Sequence, residues 1–560
     1  MVGHVTGVAS APMIATARDA GSDARPRAVA WSRALVAPVA AGVSALVVLL
    51  AGWQGADWPA QIFRTEMFEA DGLTVWNNHW YGGHHSVGYS LLLPPLAALL
   101  GTSAVAVGSA VVATSAVQEL LGRLRRGSAA VVVGATLFGI GLAANVAVGR
   151  LPFLLGVAVA TVSLVCWAEG HLRLATALAA LSGLASPVAA LFLGIAAGGR
   201  SMVTWRTPSD VLRVGDVRGQ GPLLTGAAMV PVLLVAVIFP AGGSFPFASG
   251  GFVLSVVVLA GVWLSAGRGD REVRAVVAFA LVAVVAAMVL PTPLGGNIVR
   301  LPMFFALPVL VTLLWARRRR VVPLIAAVLL AWAWWPAGDA VLWAADDPTR
   351  HASFFAPMIQ VVSRDAIEPA RVEIPFTRRH WEAAYVAPVL PLARGWERQL
   401  DRRVNPVFYE DDGLSALEYH VWLRENAVQY VALPDVELDP SAEAEAALLE
   451  QGQPFLRPVW ENEDWRVWAL TDSESLVEGD AELLDLAADR ILIDAAEAGE
   501  LVVRVRFSPH WSVEGPTCVA EDEDGWTVLH VAEPGEIELV ISPAALAGVS
   551  DATADPCDEG

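Results

Sequence analysis

The sequence predicts a polytopic α-helical membrane protein of about 11 crossings, followed by an extracytoplasmic α/β plus β-rich region. Three observations carry this. Of 560 residues, 55% are hydrophobic and 17% charged, and the mean hydropathy is +0.52. Soluble domains average about 45–50% apolar and about 25% charged residues. The charge is also unevenly divided. Residues 1–336 hold 22 Arg and 12 acids, a net +10, while residues 337–560 hold 15 Arg and 45 acids, a net −30. Finally, the arginines of the first part fall in the gaps between long apolar runs, as they do in cytoplasmic loops.

The same numbers narrow the function. A formal charge of −20 argues against a nucleic-acid partner, which needs a basic face. All 37 basic residues are Arg. Three cysteines exclude a disulfide scaffold and the Cys-rich zinc modules.

Taken in order, residues 1–30 read as a disordered cytoplasmic tail, with small residues, scattered charge and no periodicity. They are not a cleavable signal, because the first apolar run starts late and is long enough to span. Residues 31–336 form the membrane domain. Spans are expected at 33–53, 103–121, 129–148, 151–168, 222–240, 250–266, 273–290, 299–316 and 321–336. The stretch 172–198 is apolar but interrupted by Gly183, Ser186 and Pro187, and Pro breaks or kinks a helix. Treated as a double pass with the N-terminus inside, it leaves 19 of the 22 arginines inside and only Arg64, Arg150 and Arg300 outside. A single pass would put the Arg317–Arg320 run outside, so the double pass is preferred. There is no internal repeat, which removes one support for an inverted-repeat transporter.

Residues 337–475 alternate strand-like and helix-like pieces, including Arg371–Pro375, a helix at 413–427, Tyr430–Leu433, an acidic helix at 441–451 and Trp465–Leu470. This is an α/β pattern. Residues 476–560 are β-rich, with strands at Leu501–Phe507 and Glu536–Ile541, and read as a sandwich-like cap. Cys518 and Cys557 both fall outside, where a bridge can persist; Cys166 reads as core packing. The tryptophans Trp381, Trp396, Trp422, Trp460, Trp465, Trp468, Trp511 and Trp526 are core candidates that could also stack on sugar rings.

The first outer loop, 54–88, is dense in chemistry: four acids, three His and three Trp. Loops of this kind carry function. Asp57 stands just past the first span, where a partly desolvated carboxylate suits a general base. It also suits an N-cap, with Pro59 in the first turn of a helix running to about Glu69. Glu66 and Glu69 share one face of that helix, either solvated or turned to substrate. His84 and His85 are adjacent, and no Cys or acidic cluster with ligand spacing accompanies them. They read as hydrogen-bonding groups for a polar head group, and no metal site is expected.

The layout of one span, a long outer loop opening with an acid, many further spans and an outer C-terminal region resembles the GT-C class of integral-membrane glycosyltransferases. Trp76-Asn-Asn-His-Trp-Tyr-Gly-Gly-His-His85 through Gly88-Tyr-Ser-Leu-Leu-Leu-Pro-Pro95 looks like uncharacterised actinobacterial members of that class. So do Arg379-His-Trp-Glu-Ala-Ala-Tyr385 and Pro391-Leu-Ala-Arg-Gly-Trp-Glu-Arg398. The resemblance implies transfer of a sugar from a polyprenyl-phosphate donor to an envelope glycan or glycolipid acceptor, at the outer face of the plasma membrane. It implies no cofactor beyond the lipid-linked donor. It makes Asp57 the base, here without an adjacent second acid. Arg150 and Arg300 each precede a Leu-Pro at the start of a span, where a helix N-terminus also favours an anion. With Arg64, they are candidates for the donor phosphate, since Arg offers a forked, permanent charge; snorkelling to lipid head groups is the plainer alternative. A transporter or lipid flippase, or a non-catalytic envelope-assembly scaffold, is the competing expectation. A transporter should carry charges at the centres of its spans, and these are nearly absent.

Overall fold

The computed structural model describes residues 24–125, 129–206, 220–240, 243–366, 369–410 and 413–541. Its first part is a helical bundle. The helices are α1 Ala24–Leu50, α2 Trp58–Asp71, α3 Leu93–Leu100, α4 Thr102–Leu124, α5 Ala129–Val148, α6 Leu151–Ala168 and α7 Leu172–Ala185. They continue with α8 Pro187–Arg206, α9 Gln220–Ile238, α10 Ser249–Ser265, α11 Arg271–Val289, α12 Arg300–Arg318 and α13 Val322–Trp334. Among the described residues eight helical segments are long and apolar enough to cross a membrane, and α7, α8 and α10 are shorter apolar helices. Many Leu and Val on these helices face outward, among them Leu35, Val39, Leu233, Val282 and Leu324. Such a surface needs a hydrocarbon solvent. One expectation is corrected here: helical hydrogen bonding reaches back to Ala24, so residues 24–30 belong to α1 rather than to a disordered tail. An apolar run marks the buried or lipid-facing part of a helix, and the helix itself extends past it. The rest of the expected tail lies outside the described residues.

Small residues let the helices touch. A Cβ on Gly139 of α5 would stand 2.7 Å from the Ala41 Cβ of α1 and 3.0 Å from the Thr114 hydroxyl of α4. Glycine removes the clash and lets three backbones approach.

Polar contacts sort the two ends of the bundle. At one end Arg123 of α4 donates to the Ala168 carbonyl of α6 (3.3 Å). Arg125 pairs with Asp270 before α11 (2.9 Å), and Trp167 Nε1 donates to Gln220 of α9 (3.0 Å). At the other end Leu91 N donates to Leu184 O of α7 (2.9 Å) and Phe245 N to Thr292 O (3.1 Å). There too Trp334 Nε1 of α13 donates to Ile140 O of α5 (3.1 Å). The arginine-rich connections thus share one end, and the first loop and the C-terminal region share the other. Ser186 is extended (φ −162°, ψ 119°), as a residue before Pro prefers. It breaks 172–206 into a hairpin whose turn lies at the first-loop end.

Within the first loop, β1 Trp76–Asn77 pairs antiparallel with β2 His84–His85. After the bundle come α14 Gly338–Trp343, α15 Ala352–Asp365, β3 Arg371–Glu373, α16 Glu382–Tyr385, α17 Arg398–Val404, α18 Ala416–Glu425, β4 Val428–Pro434, α19 Glu443–Glu450, β5 Leu456–Glu461 and β6 Trp465–Leu470. They form a sheet of order β3-β4-β6-β5, with β3 parallel to β4 and the other pairs antiparallel. The last described residues form two four-stranded antiparallel sheets. The strands are β7 Val477–Glu478, β8 Ala481–Leu486, β9 Arg490–Ala495, β10 Gly499–Arg506, β11 Trp511–Val513, β12 Thr517–Glu521, β13 Trp526–Val531 and β14 Gly535–Ile541. Their orders are β12-β13-β10-β7 and β11-β14-β9-β8. Leu501, Val503 and Val505 alternate inward from β10, the period-2 pattern of a half-buried strand. They share one core with Ile493 and Leu539 of the other sheet. Cys518 is disulfide-bonded and Cys166 is a buried free thiol; Cys557 lies outside the described residues.

The α/β sheet has an ionic heart. Arg394 is sandwiched between Phe376 (4.0 Å) and Phe408 (3.8 Å). It meets Asp401 at 2.7 Å, Glu445 at 3.4 Å and Glu373 at 3.8 Å, all fully buried. Tyr419 donates to Glu445 and Tyr409 to Asp401. One guanidinium cannot neutralise three carboxylates. Burial pushes the Glu373 carboxyl well up and that of Glu445 up to about 7, so the cluster retains protons.

Two outcomes follow. A raised carboxyl binds its proton more tightly when folded, so its stabilisation is complete below the unfolded value and is lost as pH rises through the folded one. Stability against unfolding should therefore fall between about pH 4.5 and pH 7, and Glu445→Gln should flatten that slope in denaturant titrations. Separately, single cysteines at His171, before α7, and Ser201, in α8, should be labelled by an impermeant reagent from the same side of the membrane, and one at Asp435 from the other. Labelling of His171 and Ser201 from opposite sides would contradict the hairpin.

Candidate functional site at the first-loop end of the bundle

The site begins with a stitched backbone. Gly55 N donates to Ala147 O (2.7 Å) and Asp57 N to Val148 O (3.0 Å), and Trp58 Nε1 donates to Val146 O (2.7 Å). The loop after α1 is thereby fixed to the end of α5. Gly149 follows with φ +95°, and a Cβ there would lie 2.4 Å from Trp58 N and 2.6 Å from Asp57 C. Only glycine fits. The next residue, Arg150, is delivered beside Asp57.

Asp57 is the N-cap of α2, with Pro59 in the first turn, but its carboxylate makes no capping hydrogen bond. It is turned toward Arg150, with Oδ2 3.6 Å from Nε. Both side chains are about one-fifth exposed (21% and 20%), so the pair is open to a ligand. Arg150 caps α6, and Arg300 opens α12 with Pro302 in its first turn. The Arg300 guanidinium stands 5.2 Å from the Phe153 ring centroid, which sets the starts of α6 and α12 side by side. The N-terminus of α6 and two arginines therefore share one neighbourhood, an arrangement that favours an anion.

Tyr89 completes the group. Burial, then the Asp57 charge, push its hydroxyl up to about 12, and Arg300, Arg64 and Arg150 pull it back. The phenol lies in the field of all four and stays protonated, a donor. Arg64 is buried and pairs with Glu397 at 2.5 Å. Its guanidinium stands over Tyr89 (4.5 Å), Trp396 (5.5 Å) and Trp80 (5.9 Å).

The structure thus gathers Asp57, Arg150 and Arg300, with Arg64 one ring away. Glu66 and Glu69 lie on the exposed face of α2 and do not join the group. Burial and the Glu69 charge raise the Glu66 carboxyl. His84 is buried with its ring stacked on Trp80 (5.7 Å, 8°), and burial with the Arg64 charge lowers it to about 3. It is a neutral wall behind Arg64. His85, on the opposite face of the strand, turns to Trp76, Phe239 and His510 and is lowered to about 4, chiefly by burial. The two histidines do not converge. Among the described residues no group of three or more His, Cys, Asp or Glu is placed to hold a metal ion.

Below Arg300 a cavity of about 560 Å³ runs between α4, α6, α8, α10, α11 and α12. Ala189, Leu301 and Pro302 line its upper part; Arg123, Arg200 and Glu272 line its far end. The walls between are apolar.

Sequence reasoning missed Tyr89, Glu397 and the particular place of Trp396. Tyr89 and Trp396-Glu397 fall in segments that carried the family resemblance, and that was the available signal. Of the tryptophans named above, Trp381, Trp422, Trp465, Trp511 and Trp526 are buried core; Trp396 alone of the eight donates to the Asp57 turn. No protein-family model matches the chain, and no curated protein matches it.

Removing one partner of a buried pair strands the other. Arg64→Met should destabilise the protein by about 3–5 kcal/mol. The double variant Arg64→Met/Glu397→Leu should recover most of that in a double-mutant cycle on chemical unfolding.

Proposed function

We propose that the protein is a membrane glycosyltransferase that moves a sugar from a polyprenyl-phosphate donor to a cell-envelope acceptor. The observation that carries this is the gathering of Asp57, Tyr89, Arg150 and Arg300, the last of them next in sequence to Leu301 and Pro302, which line an apolar cavity. The cavity suits an isoprenoid tail, the arginines and the α6 N-terminus a phosphate, and Asp57 a hydroxyl proton. The eight long apolar helices with the three shorter ones make eleven crossings in this reading. The arginine-rich end faces the cytoplasm and the site faces outward.

Asp57 and the donor phosphate compete for Arg150. Donor binding draws Arg150 to the phosphate and frees the carboxylate. The acceptor oxygen then attacks the anomeric carbon from the face opposite the phosphate. The acceptor hydroxyl proton passes to Asp57. The bond from the anomeric carbon to the phosphate oxygen breaks, and polyprenyl phosphate remains held by Arg150, Arg300 and the Tyr89 hydroxyl.

A second reading is favoured by the cavity's reach to Arg200 and Glu272 at the far end: a protein that moves a lipid phosphate between leaflets. Its apolar middle argues for a tail site instead.

Asp57→Asn keeps shape and removes basicity, and should lower transfer from labelled polyprenyl-phosphate sugars by roughly 10²–10⁴-fold. Arg150→Gln and Arg300→Gln should weaken donor binding roughly tenfold or more while the protein stays folded. Unchanged turnover in the first variant and unchanged binding in the other two would reject the reading.

A further inference from the structure

The segment Leu392–Glu397 lies flush on the first loop. Leu392 N donates to His79 O (2.8 Å). A Cβ on Gly395 would stand 2.7 Å from the Trp80 side chain, so the Gly395 backbone lies against that indole with no room for a side chain. Trp396 Nε1 donates to the carbonyl of Ala56, the residue before Asp57 (2.6 Å), and its ring edge meets Tyr89 at 5.5 Å. Glu397 takes Arg64 at 2.5 Å in buried surroundings. One dipeptide of the outer region therefore touches the turn that aims Asp57, the ring of Tyr89 and the cation beside it.

We infer that Trp396 and Glu397 are positioning residues that hold the Asp57 turn and Arg64 in place, so that the outer region is a wall of the site. The inference rests on the reading of that site given above. Neither residue reaches a reacting atom; both act through others. The N–H of Trp396 is spent on a carbonyl of the loop and on nothing in its own region. The Glu397 carboxylate likewise spends its charge on a loop residue 333 positions away. A shift of about 1 Å in a catalytic group can cost about 100-fold in rate, so a tether one residue from Asp57 is placed where it matters.

The test uses the full chain in nanodiscs. Trp396→Phe keeps the ring and removes the N–H; Glu397→Gln keeps the shape and removes the charge. Hydrogen exchange is followed over residues 52–66 and, as a control, over 428–470. Each variant should speed exchange at 52–66 roughly fivefold or more, the loss of one such bond, and leave 428–470 unchanged. Unchanged exchange at 52–66 in both variants overturns the inference. So does equal acceleration in both segments, which marks the two residues as ordinary core supports. Binding of decaprenyl phosphate is measured alongside. Weaker binding with a loosened loop supports the inference. A loosened loop in the variants, with no binding of decaprenyl phosphate by the unaltered protein, upholds the clamp and overturns the lipid-phosphate reading of the site.

Discussion

Two backbones meet at Gly149 with no space for a side chain between them, and the rest of the first-loop end of the bundle is arranged around that contact. The left-handed turn lets α5 end and α6 begin against the first turn of α2. Asp57 and Arg150 are neighbours because of it, although 93 positions separate them in the chain. Arg300 joins them because α12 starts beside α6, through Phe153. The chemistry of the site depends on the packing of helix ends, and the helix ends depend on a glycine.

The membrane-like architecture was legible because it is written in composition. Apolar runs, interrupting prolines and the spacing of arginines each report a local property, and local properties survive without the fold. The break at Ser186 is such a case, since a residue before Pro declares its own backbone. Strands at 430–433, 465–470, 501–507 and 536–541 were legible for the same reason. The start of α1 was misread because polar residues carry no mark of helix when the helix runs beyond its apolar face.

The site was half legible. Asp57, Arg150 and Arg300 stand out as charges at span boundaries, a one-dimensional signal. Glu397 does not, because a carboxylate in an acidic region looks like solubility until Arg64 is placed beside it. Glu66 and Glu69 looked as promising as Asp57 by type and spacing. Only the rotation of α2, set by its buried face of Trp58, Phe63 and Arg64, separates them from the group. Tyr89 was hidden for a related reason. An aromatic in an apolar segment signals packing, and its hydroxyl gains meaning from charges that arrive from three other elements.

The α7–α8 hairpin has a mechanical consequence for its surroundings. With 14 residues, α7 spans about 21 Å at 1.5 Å per residue. The hydrocarbon of a typical bilayer is about 30 Å thick. Leu174 and Leu181 face outward from α7, so with the eleven crossings proposed above, hydrocarbon meets a helix too short for it. A bilayer answers such mismatch by thinning locally. Its companion α8 lines the cavity beneath Arg300. In the proposed reading, the sheet of lipid dips beside that cavity, and the phosphate of a lipid-linked donor is lowered toward the arginines with part of its desolvation already accomplished.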